Sequence, residues 1–273
     1  MSETSASSND PIWQGIREEV QAEISREPIL ASFLHATILN HQRLEDALSF
    51  ILAGKLQTLS LPDMLVRELI DRAFAASPQI GASIRQDLEA VRQRDPASHG
   101  YSEPFLYFKG FHALQSYRIG HWLWQQSRRS LAVHLQSRIS EVFNVDIHPA
   151  ARIGCGIMID HGTSVVIGET AVVEDNVSML HEVTLGGTGK ELGQRHPKVR
   201  HGVLIGAGAK VLGNIEIGAG AKIGAGSVVL DDVPPHFTVA GVPAEVVGRS
   251  NVGEPALEMD QSFPHHHGEG SGI

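Results

Sequence analysis

The spacing of apolar residues divides the chain near residue 144. Through residues 10–143, apolar side chains recur every three or four positions, which is the period of an amphipathic helix. After Asn144 an aliphatic residue stands instead at every sixth position. The pattern therefore predicts a helical region followed by a region of short β-strands.

The helical region is predicted to contain roughly six to eight helices. Apolar faces with helical spacing occur at residues 12–24, 44–56, 65–74, 84–91 and 131–139. Pro28 ends the first helix, and Asp95 with Pro96 ends the fourth. Residues 105–126 are predicted to form one longer helix.

The second region is defined by aliphatic residues six positions apart. They form three runs: Ile147, Ile153 and Ile159; then Ile167, Val173, Met179 and Leu185; then Ile205, Val211, Ile217, Ile223 and Val229. A further small or apolar residue stands four positions after each of them, such as Thr163 after Ile159. This short period is typical of a parallel β-helix, in which each hexapeptide is a strand plus a turn and three of them close a coil. The twelve positions predict four coils.

Two interruptions break the six-residue period. Between Ile159 and Ile167 the spacing lengthens by two residues, directly after His161. Between Leu185 and Ile205 twenty residues replace six, which predicts a fourteen-residue insertion containing GKELGQRHPKVRHG. Insertions in a solenoid leave it at a corner, and such loops commonly carry function. Both interruptions are therefore candidate functional sites.

Composition narrows the classes of function. The 273 residues are 42% hydrophobic and 19% charged, which predicts a sizeable core. The net charge of −9 argues against nucleic acid as a main partner. The single cysteine, Cys155, excludes an intramolecular disulfide and is interpreted as filling a turn rather than as a reactive thiol. With no run of 18 apolar residues and no signal peptide, we expect a soluble, cytoplasmic protein with no membrane partner.

Three stretches resemble the serine acetyltransferases, a family of hexapeptide-repeat acyltransferases. They are RDPASHGYSEPFLYFKGFHALQSYRIGHWLW, VDIHPAARIGCGIMIDHGTSVVIGETAVV and VTLGGTGKELGQRHPKVRHGVLIGAGAKVLGNIEIGAGAKIGAGSVVL. The exit sequence AGVPAEVVG fits the same family, and the similarity covers residues 28 to 248. The resemblance implies that the β-helix is left-handed, that it forms trimers, and that two trimers pair through their helical domains.

The expected fold class is α+β with three parts. These are an N-terminal helical domain at residues 1–143, a left-handed parallel β-helix at 144–249 and a C-terminal tail at 250–273. The tail is polar and glycine-rich, and this composition predicts that it is flexible.

The resemblance also implies the reaction. An acetyl group would pass from acetyl-CoA to the hydroxyl of L-serine, giving O-acetyl-L-serine and CoA in the first step of cysteine biosynthesis from serine. No serine or cysteine lies in a nucleophile motif, so we expect direct transfer without an acyl-enzyme, with no permanently bound cofactor and no metal. L-cysteine is expected to inhibit by competing at the serine site.

A serine hydroxyl needs a general base at neutral pH, and histidine suits this role because its ordinary pKa lies near the working pH. His161 is the candidate base, and the resemblance assigns Asp146 as the carboxylate that orients its ring. Asp146 lies fifteen residues earlier, close to the length of one coil. From the residues alone, a purely structural corner histidine explains His161 equally well; the resemblance favours the base.

The resemblance assigns Asp95 and Asp160 to the ammonium group of the amino acid, and Arg195 with His196 to its carboxylate. A guanidinium suits a carboxylate because it donates paired hydrogen bonds. From the residues alone, Asp95 is equally a helix terminator and Arg195 a solvated loop charge.

For CoA, the resemblance assigns four residues. Small side chains at Gly187, Ala207 and Ala225 would let the pantetheine arm approach the backbone, with Lys222 near the phosphates. The repeat itself also requires small residues at such positions.

The resemblance gives the C-terminal residue, Ile273, a role of its own. It would dock into O-acetylserine sulfhydrylase as a partner enzyme. The nearby His265, His266 and His267 are interpreted as a solvated run rather than a metal site.

Two other hypotheses remain open on the sequence. One is a zinc hydratase of the γ-carbonic anhydrase type, which binds zinc with three histidines across a trimer interface; the candidates are His148, His161, His181, His196 and His201. The zinc-hydratase hypothesis does not account for the RHPK loop or the helical region. The other is a non-enzymatic scaffold that regulates a partner through its tail. The presence of Asp146, His161 and Arg195 together argues against this hypothesis.

Overall fold

The computed structural model describes residues 10–189, 192–250 and 252–262. The first region is helical: α1 Pro11–Arg26, α2 Ala31–Leu34, α3 Leu44–Leu56, α4 Asp63–Ala76, α5 Pro78–Arg94, α6 Ser102–Tyr107, α7 Lys109–Gln125 and α8 Arg129–Phe143. A 3₁₀ turn at Pro28–Leu30 precedes α2, and a π-helical turn at His35–Leu39 follows it. Asp10 caps α1 by accepting a hydrogen bond from the Trp13 amide at 3.2 Å.

The prediction of one helix over residues 105–126 is wrong. The helix breaks at Phe108, whose backbone is extended at φ −78° and ψ 111°, and this break separates α6 from α7. Apolar residues continue with helical spacing through the break, so the pattern does not reveal it. The break lets the first turn of α7 lie against the β-region.

The β-region is a parallel β-helix with three sheets. Sheet A contains β1 Val145–Ile147, β4 Val165–Ile167, β7 Thr184–Gly186, β10 Lys210–Leu212 and β13 Val228–Val229. Sheet B contains β2 Arg152–Ile153, β5 Val172–Val173, β8 Lys198–Val199 and β11 Glu216–Ile217. Sheet C contains β3 Met158–Ile159, β6 Ser178–Met179, β9 Leu204–Ile205, β12 Lys222–Ile223, β14 Phe237–Ala240 and β15 Glu245–Arg249, the last pairing antiparallel with β14.

The β-helix has five coils rather than the predicted four. Val199, Val233 and Val239 add three inward positions to the twelve recognised in the sequence. Val199 is fully buried and pairs with Val173, so fourteen positions rather than twenty separate Leu185 from the next inward residue. The second interruption is therefore an insertion of eight residues, not fourteen. The sequence count missed Val199 because it lies inside the basic stretch.

Buried polar contacts join the two regions. The carboxylate of Asp87 on α5 is fully buried and accepts hydrogen bonds from Arg118 Nη2 at 2.7 Å and from the Ile157 amide at 2.9 Å. Arg118 on α7 in turn donates to the Gly154 carbonyl at 2.8 Å. A buried ion pair tolerates desolvation when further hydrogen bonds satisfy it, as they do here. The first coil is thus fixed to α5 and α7.

Part of the C-terminal tail packs on sheet C. A short helix, α9 Pro255–Glu258, places the Ala256 carbonyl 2.9 Å from the Ser178 hydroxyl, which donates to it. The Ala256 amide donates to the Gly202 carbonyl at 3.2 Å. The polar composition of the tail did not predict this contact. Ile273 and the run His265 to His267 lie outside the described residues.

None of the helices in the described part of the chain is long and apolar enough to span a membrane.

Candidate active site

The first interruption is a bulge at a corner of the first coil. Residues 160–164 join β3 to β4, at the corner where sheet C turns into sheet A, here named the C–A corner. His161, Gly162 and Ser164 adopt positive φ values of 56°, 72° and 59°. Because of the two extra residues, the buried residue that precedes Ile167 by two is Val165, whereas Thr163, four positions after Ile159, lies within the bulge. The two extra residues leave the His161 side chain 72% exposed.

The nearest polar neighbours of the His161 ring are Asp160 and His181. Asp160 Oδ2 lies 3.8 Å from His161 Nε2, and the two imidazole rings are 5.8 Å apart at 70°. His181 Nδ1 is buried and has no hydrogen-bond partner within the described residues. From the sequence, His181 was a candidate only for a zinc ligand. Its position one coil after His161 follows from the register Ile159 to Met179.

Asp95 and Asp160 lie on the same side of this corner. Burial raises the pKa of the Asp160 carboxyl, and the negative charge of Asp95 raises it further, while His161 and His181 act in the opposite direction. Within the described chain, no lysine or arginine forms an ion pair with either carboxylate. The pair therefore presents concentrated negative charge that attracts a cation.

The second interruption lies at the corner where sheet A turns into sheet B, here named the A–B corner. Arg195 Nη2 donates to Glu169 Oε2 at 2.6 Å, and the Arg195 amide donates to Thr170 Oγ1 at 3.0 Å. The hydrogen bond from Arg195 lowers the pKa of Glu169. Sequence reasoning missed Glu169 and Thr170; the signal is their position one coil before Arg195 and His196.

His196 is buried beneath the same corner. Its Nδ1 accepts a hydrogen bond from the Thr170 amide at 3.2 Å, so the neutral ring carries its proton on Nε2. Burial lowers the pKa of His196, and the positive charge of Arg195 lowers it further. A Cβ at Gly168 would lie 2.0 Å from His196 Cδ2, so only glycine leaves room for the ring. The arrangement offers two neighbouring donors to an anion.

Asp146 belongs with the A–B corner rather than with His161. It lies in β1, and Gln136 Nε2 donates to its Oδ1 at 2.7 Å. Burial lowers the pKa of the adjacent His148, while the charges of Glu169 and Asp146 raise it. Within the described residues of one chain, no hydrogen bond or ion pair joins Asp146 to His161. One chain therefore does not assemble the predicted pair.

The residues assigned to CoA fall in three places. Ala207 and Ala225 continue the column of the C–A corner above His161 and His181, as the bonds from the Gly208 amide to the His181 carbonyl and from the Gly226 amide to the Ala207 carbonyl show. Gly187 lies at the A–B corner, where a Cβ would stand 3.3 Å from the Arg195 carbonyl. Lys222 is buried on sheet C, and its Nζ donates to the Asp260 carbonyl at 3.0 Å and to the Ser262 carbonyl.

Two other kinds of site, a reactive thiol at Cys155 and a metal-binding cluster, were also considered. Burial raises the pKa of the Cys155 thiol to about 11, and its Sγ donates to Asp175 Oδ1 at 3.2 Å, so the thiol is protonated at neutral pH. Across residues 10–189, 192–250 and 252–262, no three His, Cys, Asp or Glu side chains are grouped so as to hold a metal ion.

A parallel β-helix of six-residue repeats defines the hexapeptide-repeat proteins, and in this chain it carries an exposed histidine at an interrupted corner. Residues 196–231 match the model of the bacterial transferase hexapeptide with six repeats, and residues 12–116 match the model of the N-terminal region of serine acetyltransferase. A serine acetyltransferase of Salmonella typhimurium is 59% identical over 265 residues, 96% of this chain and 97% of the relative. The chain belongs to the serine acetyltransferase family and is an acyltransferase.

Solved structures agree with this assignment. A serine acetyltransferase in complex with cysteine superposes with a TM-score of 0.91 at 57% identity, covering 93% of this chain and 98% of the other. The enzyme of Brucella abortus in complex with coenzyme A gives 0.87 and 52%, covering 89% and 97%. That of Neisseria gonorrhoeae in complex with serine gives 0.84 and 52%, covering 87% and 98%.

Proposed function

We propose that the chain transfers an acetyl group from acetyl-CoA to the hydroxyl of L-serine, giving O-acetyl-L-serine and CoA, with His161 as the general base. The observation that carries the proposal is the exposed His161 on a bulge beside the carboxylates of Asp95 and Asp160. The test is release of thiol from acetyl-CoA with a panel of amino acids and amino sugars. Turnover is expected with L-serine, and its absence would overturn the proposal.

The complete site lies between two copies of the chain. The C–A corner supplies negative charge for the ammonium group through Asp95 and Asp160, and the A–B corner supplies Arg195 and His196 for the carboxylate. A serine zwitterion needs both, and each corner has the charge that the other lacks. The same arrangement would bring Asp146 of one copy to His161 of the next. The left-handed trimer implied by the resemblance provides such a cleft.

Mixing two variants with complementary defects tests the shared site, at a serine concentration low enough that the raised KM of the Arg195 variant also lowers its rate. His161→Ala disables the C–A corner and Arg195→Ala disables the A–B corner, so a trimer that contains both variants would retain some intact pairs. Random mixing restores about one quarter of the sites, because each site needs one intact corner from each of two neighbours. Activity well above the sum of the separate variants supports the shared site. Activity that stays at that sum contradicts it.

The chemistry follows from these positions. His161 takes the proton of the serine hydroxyl as the oxygen attacks the thioester carbonyl, and a carboxylate behind the ring stabilises the imidazolium. The negative charge that develops on the carbonyl oxygen needs a nearby donor. His181, one coil above His161, is positioned to supply it. Collapse breaks the carbon–sulfur bond, and the proton on His161 passes to the departing thiolate.

Acetyl-CoA is the co-substrate, and its pantetheine arm would follow the column of the C–A corner. Ala207 and Ala225 leave the backbone accessible there, and a relative binds coenzyme A. L-cysteine would inhibit at the serine site, because it has the same ammonium and carboxylate groups and a relative binds it. Raising the serine concentration should therefore relieve inhibition by cysteine; inhibition that serine does not relieve would place the inhibitor elsewhere.

Two trimers would pair through the helical region to form a hexamer. A groove of about 550 Å³ there is lined by Phe33, Phe50, Met64 and Tyr107, all of which are partly exposed. Apolar surface of this kind favours burial against another copy. Sedimentation analysis of Met64→Glu should show a trimer where the parent chain forms a hexamer. An unchanged hexamer would exclude this groove as the contact.

The tail would bind O-acetylserine sulfhydrylase through Ile273. The protein would lie in the cytoplasm, because a chain with the single cysteine Cys155 suits a reducing compartment. Deleting the last ten residues should abolish capture by that enzyme and leave acetyl transfer largely intact. Loss of transfer on this deletion would show that the two roles are not separable.

A further inference from the structure

The bulge at the first interruption is in contact with the helical region. The first turn of α7, which begins at Lys109 directly after the break at Phe108, lies against residues 159–163. The extra length of the corner thus lies where a helix end reaches the first coil. At the other C–A corners the inward residues keep the regular spacing of six, as from Met179 to Leu185 and from Ile205 to Val211.

The contact is close enough to exclude side chains. A Cβ on Gly110 would lie 2.1 Å from the Ile159 carbonyl oxygen, and a Cβ on Gly162 would lie 3.0 Å from Gly110 Cα. Both values are shorter than ordinary van der Waals contacts, so backbone packs directly on backbone here. His161 stands between the two contacted residues.

One side-chain bond joins the same elements. Lys109 Nζ donates to Thr163 Oγ1 at 2.5 Å, and both side chains are partly buried. Thr163 also accepts a hydrogen bond from the Glu182 amide through its carbonyl at 2.7 Å, which links the bulge to the next coil. The bulge is therefore held on one side by α7 and on the other by the second coil.

The His161 ring itself has few restraints. Within the described residues it makes no hydrogen bond, and its side chain is 72% exposed. Its backbone has a φ of 56°, a conformation that a non-glycine residue adopts only when the surroundings impose it. The direction of the ring thus depends on how the backbone of 160–164 is held.

We propose that Lys109 is a positioning residue for His161, acting through Thr163 and the first turn of α7. The lysine does not touch substrate; it fixes the bulge so that the base faces the serine hydroxyl. The inference rests on the proposed role of His161 as the base. Small displacements of a base cost rate while leaving substrate binding nearly intact.

The test compares three variants of the full-length enzyme in steady-state kinetics. Lys109→Met removes the donor, Thr163→Val removes its acceptor without changing the shape of the side chain, and Arg72→Met makes the same charge change at an exposed position on α4. Lys109→Met and Thr163→Val should each lower kcat about tenfold with the serine KM changed less than about twofold. Their double variant should lose no more than either alone, and Arg72→Met should match the parent.

A second comparison separates positioning from loss of folded enzyme. In the His161→Ala background, Lys109→Met should leave the residual rate unchanged, because there is no base left to position. A simple loss of folded protein would lower that residual rate by the same factor as before. Lys109→Arg, which keeps a cationic donor, should recover most of kcat.

The outcomes distinguish failure of the positioning role of Lys109 from failure of the proposed base, His161. An unchanged kcat in Lys109→Met, or an equal fall in the His161→Ala background, overturns the positioning role and leaves the proposed function standing. A near-normal rate in His161→Ala itself overturns the proposed base, whatever Lys109 does.

Discussion

The two interruptions of the repeat differ in length and in the elements that hold them. The first adds two residues and is held from outside, because α7 packs on it through Lys109 and Gly110. The second adds eight residues and is held by the preceding coil, where Glu169 accepts a hydrogen bond from Arg195 and the Thr170 carbonyl accepts one from Lys198 Nζ at 2.9 Å. Under the proposed function, the short bulge orients the general base, and the long loop supplies positive charge for the substrate carboxylate. Geometry should therefore limit rate at the first, and electrostatics should limit binding at the second.

The largest effect is expected at the first interruption. His161→Ala should lower kcat by about 10²–10⁴, because it removes the general base while the exposed side chain leaves the fold unaffected. Thiol release with saturating serine and acetyl-CoA measures it, with circular dichroism as the control for folding. A rate within a few-fold of the parent would contradict the assignment.

At the second interruption the effect should appear in KM. Arg195→Met removes a charged donor and should raise the serine KM by about ten- to a hundredfold, with a smaller change in kcat. Initial rates over a range of serine concentrations give both values. A fall in kcat alone would contradict the assignment of serine binding to the second interruption and of rate to the first.

Glu169→Gln should act in the same direction but more weakly. It keeps an oxygen that can accept from Arg195 Nη2, but it removes the charge that holds the guanidinium in place. We expect the serine KM to rise about three- to tenfold. The double variant with Arg195→Met should add little to the single change, since Glu169 acts through the arginine. Full additivity would argue for an independent role.

The smallest effect on catalysis is expected from His112 on α7, the helix that holds the first interruption, because this change concerns stability instead. His112 is fully buried, and burial lowers its pKa to about 4, while its Nε2 bonds with the Phe105 carbonyl at 2.8 Å. Between the ordinary value near 6.5 and about 4, the unfolded chain binds a proton that the folded chain does not, so stability falls as the pH falls. This contributes up to about 3 kcal/mol.

The matched variant is His112→Gln, which does not titrate. Chemical unfolding at several pH values between 6.5 and 4.5 should show a steeper loss for the parent than for this variant. Equal slopes would show that His112 does not drive the change.

Periodicity predicted most of the architecture, since the pattern of apolar side chains directly reflects burial. It assigned α1, α3, α4, α5 and α8 and twelve of the fifteen inward β positions. It failed at Phe108 and Val199, where tertiary contacts set the local structure while the apolar pattern continues or is hidden among charges. The short helix α9 also escaped it, since one buried alanine, Ala256, carries little signal.

The candidate site could be predicted as a set of residues but not as an arrangement. His161, Asp160 and Asp95 do come together, and so do Arg195 and His196. Their partners Glu169, Thr170 and His181 follow only once the register is known, because each lies one coil away rather than nearby in sequence. The separation of Asp146 from His161 within one chain depends on which corner each residue occupies, which spacing alone does not give.

One column of the C–A corner contains His161, His181, Ala207 and Ala225. The distance between its members depends on the number of coils that separate them and not on the number of residues. The steps along it span 20, 26 and 18 residues, yet each advances the chain by about one inter-strand spacing, near 4.8 Å. Residues can therefore be gained or lost at a corner without changing the distance between His161 and Ala225. A whole coil cannot be gained or lost in this way, because the distance from His161 to Ala225 would change by a full step.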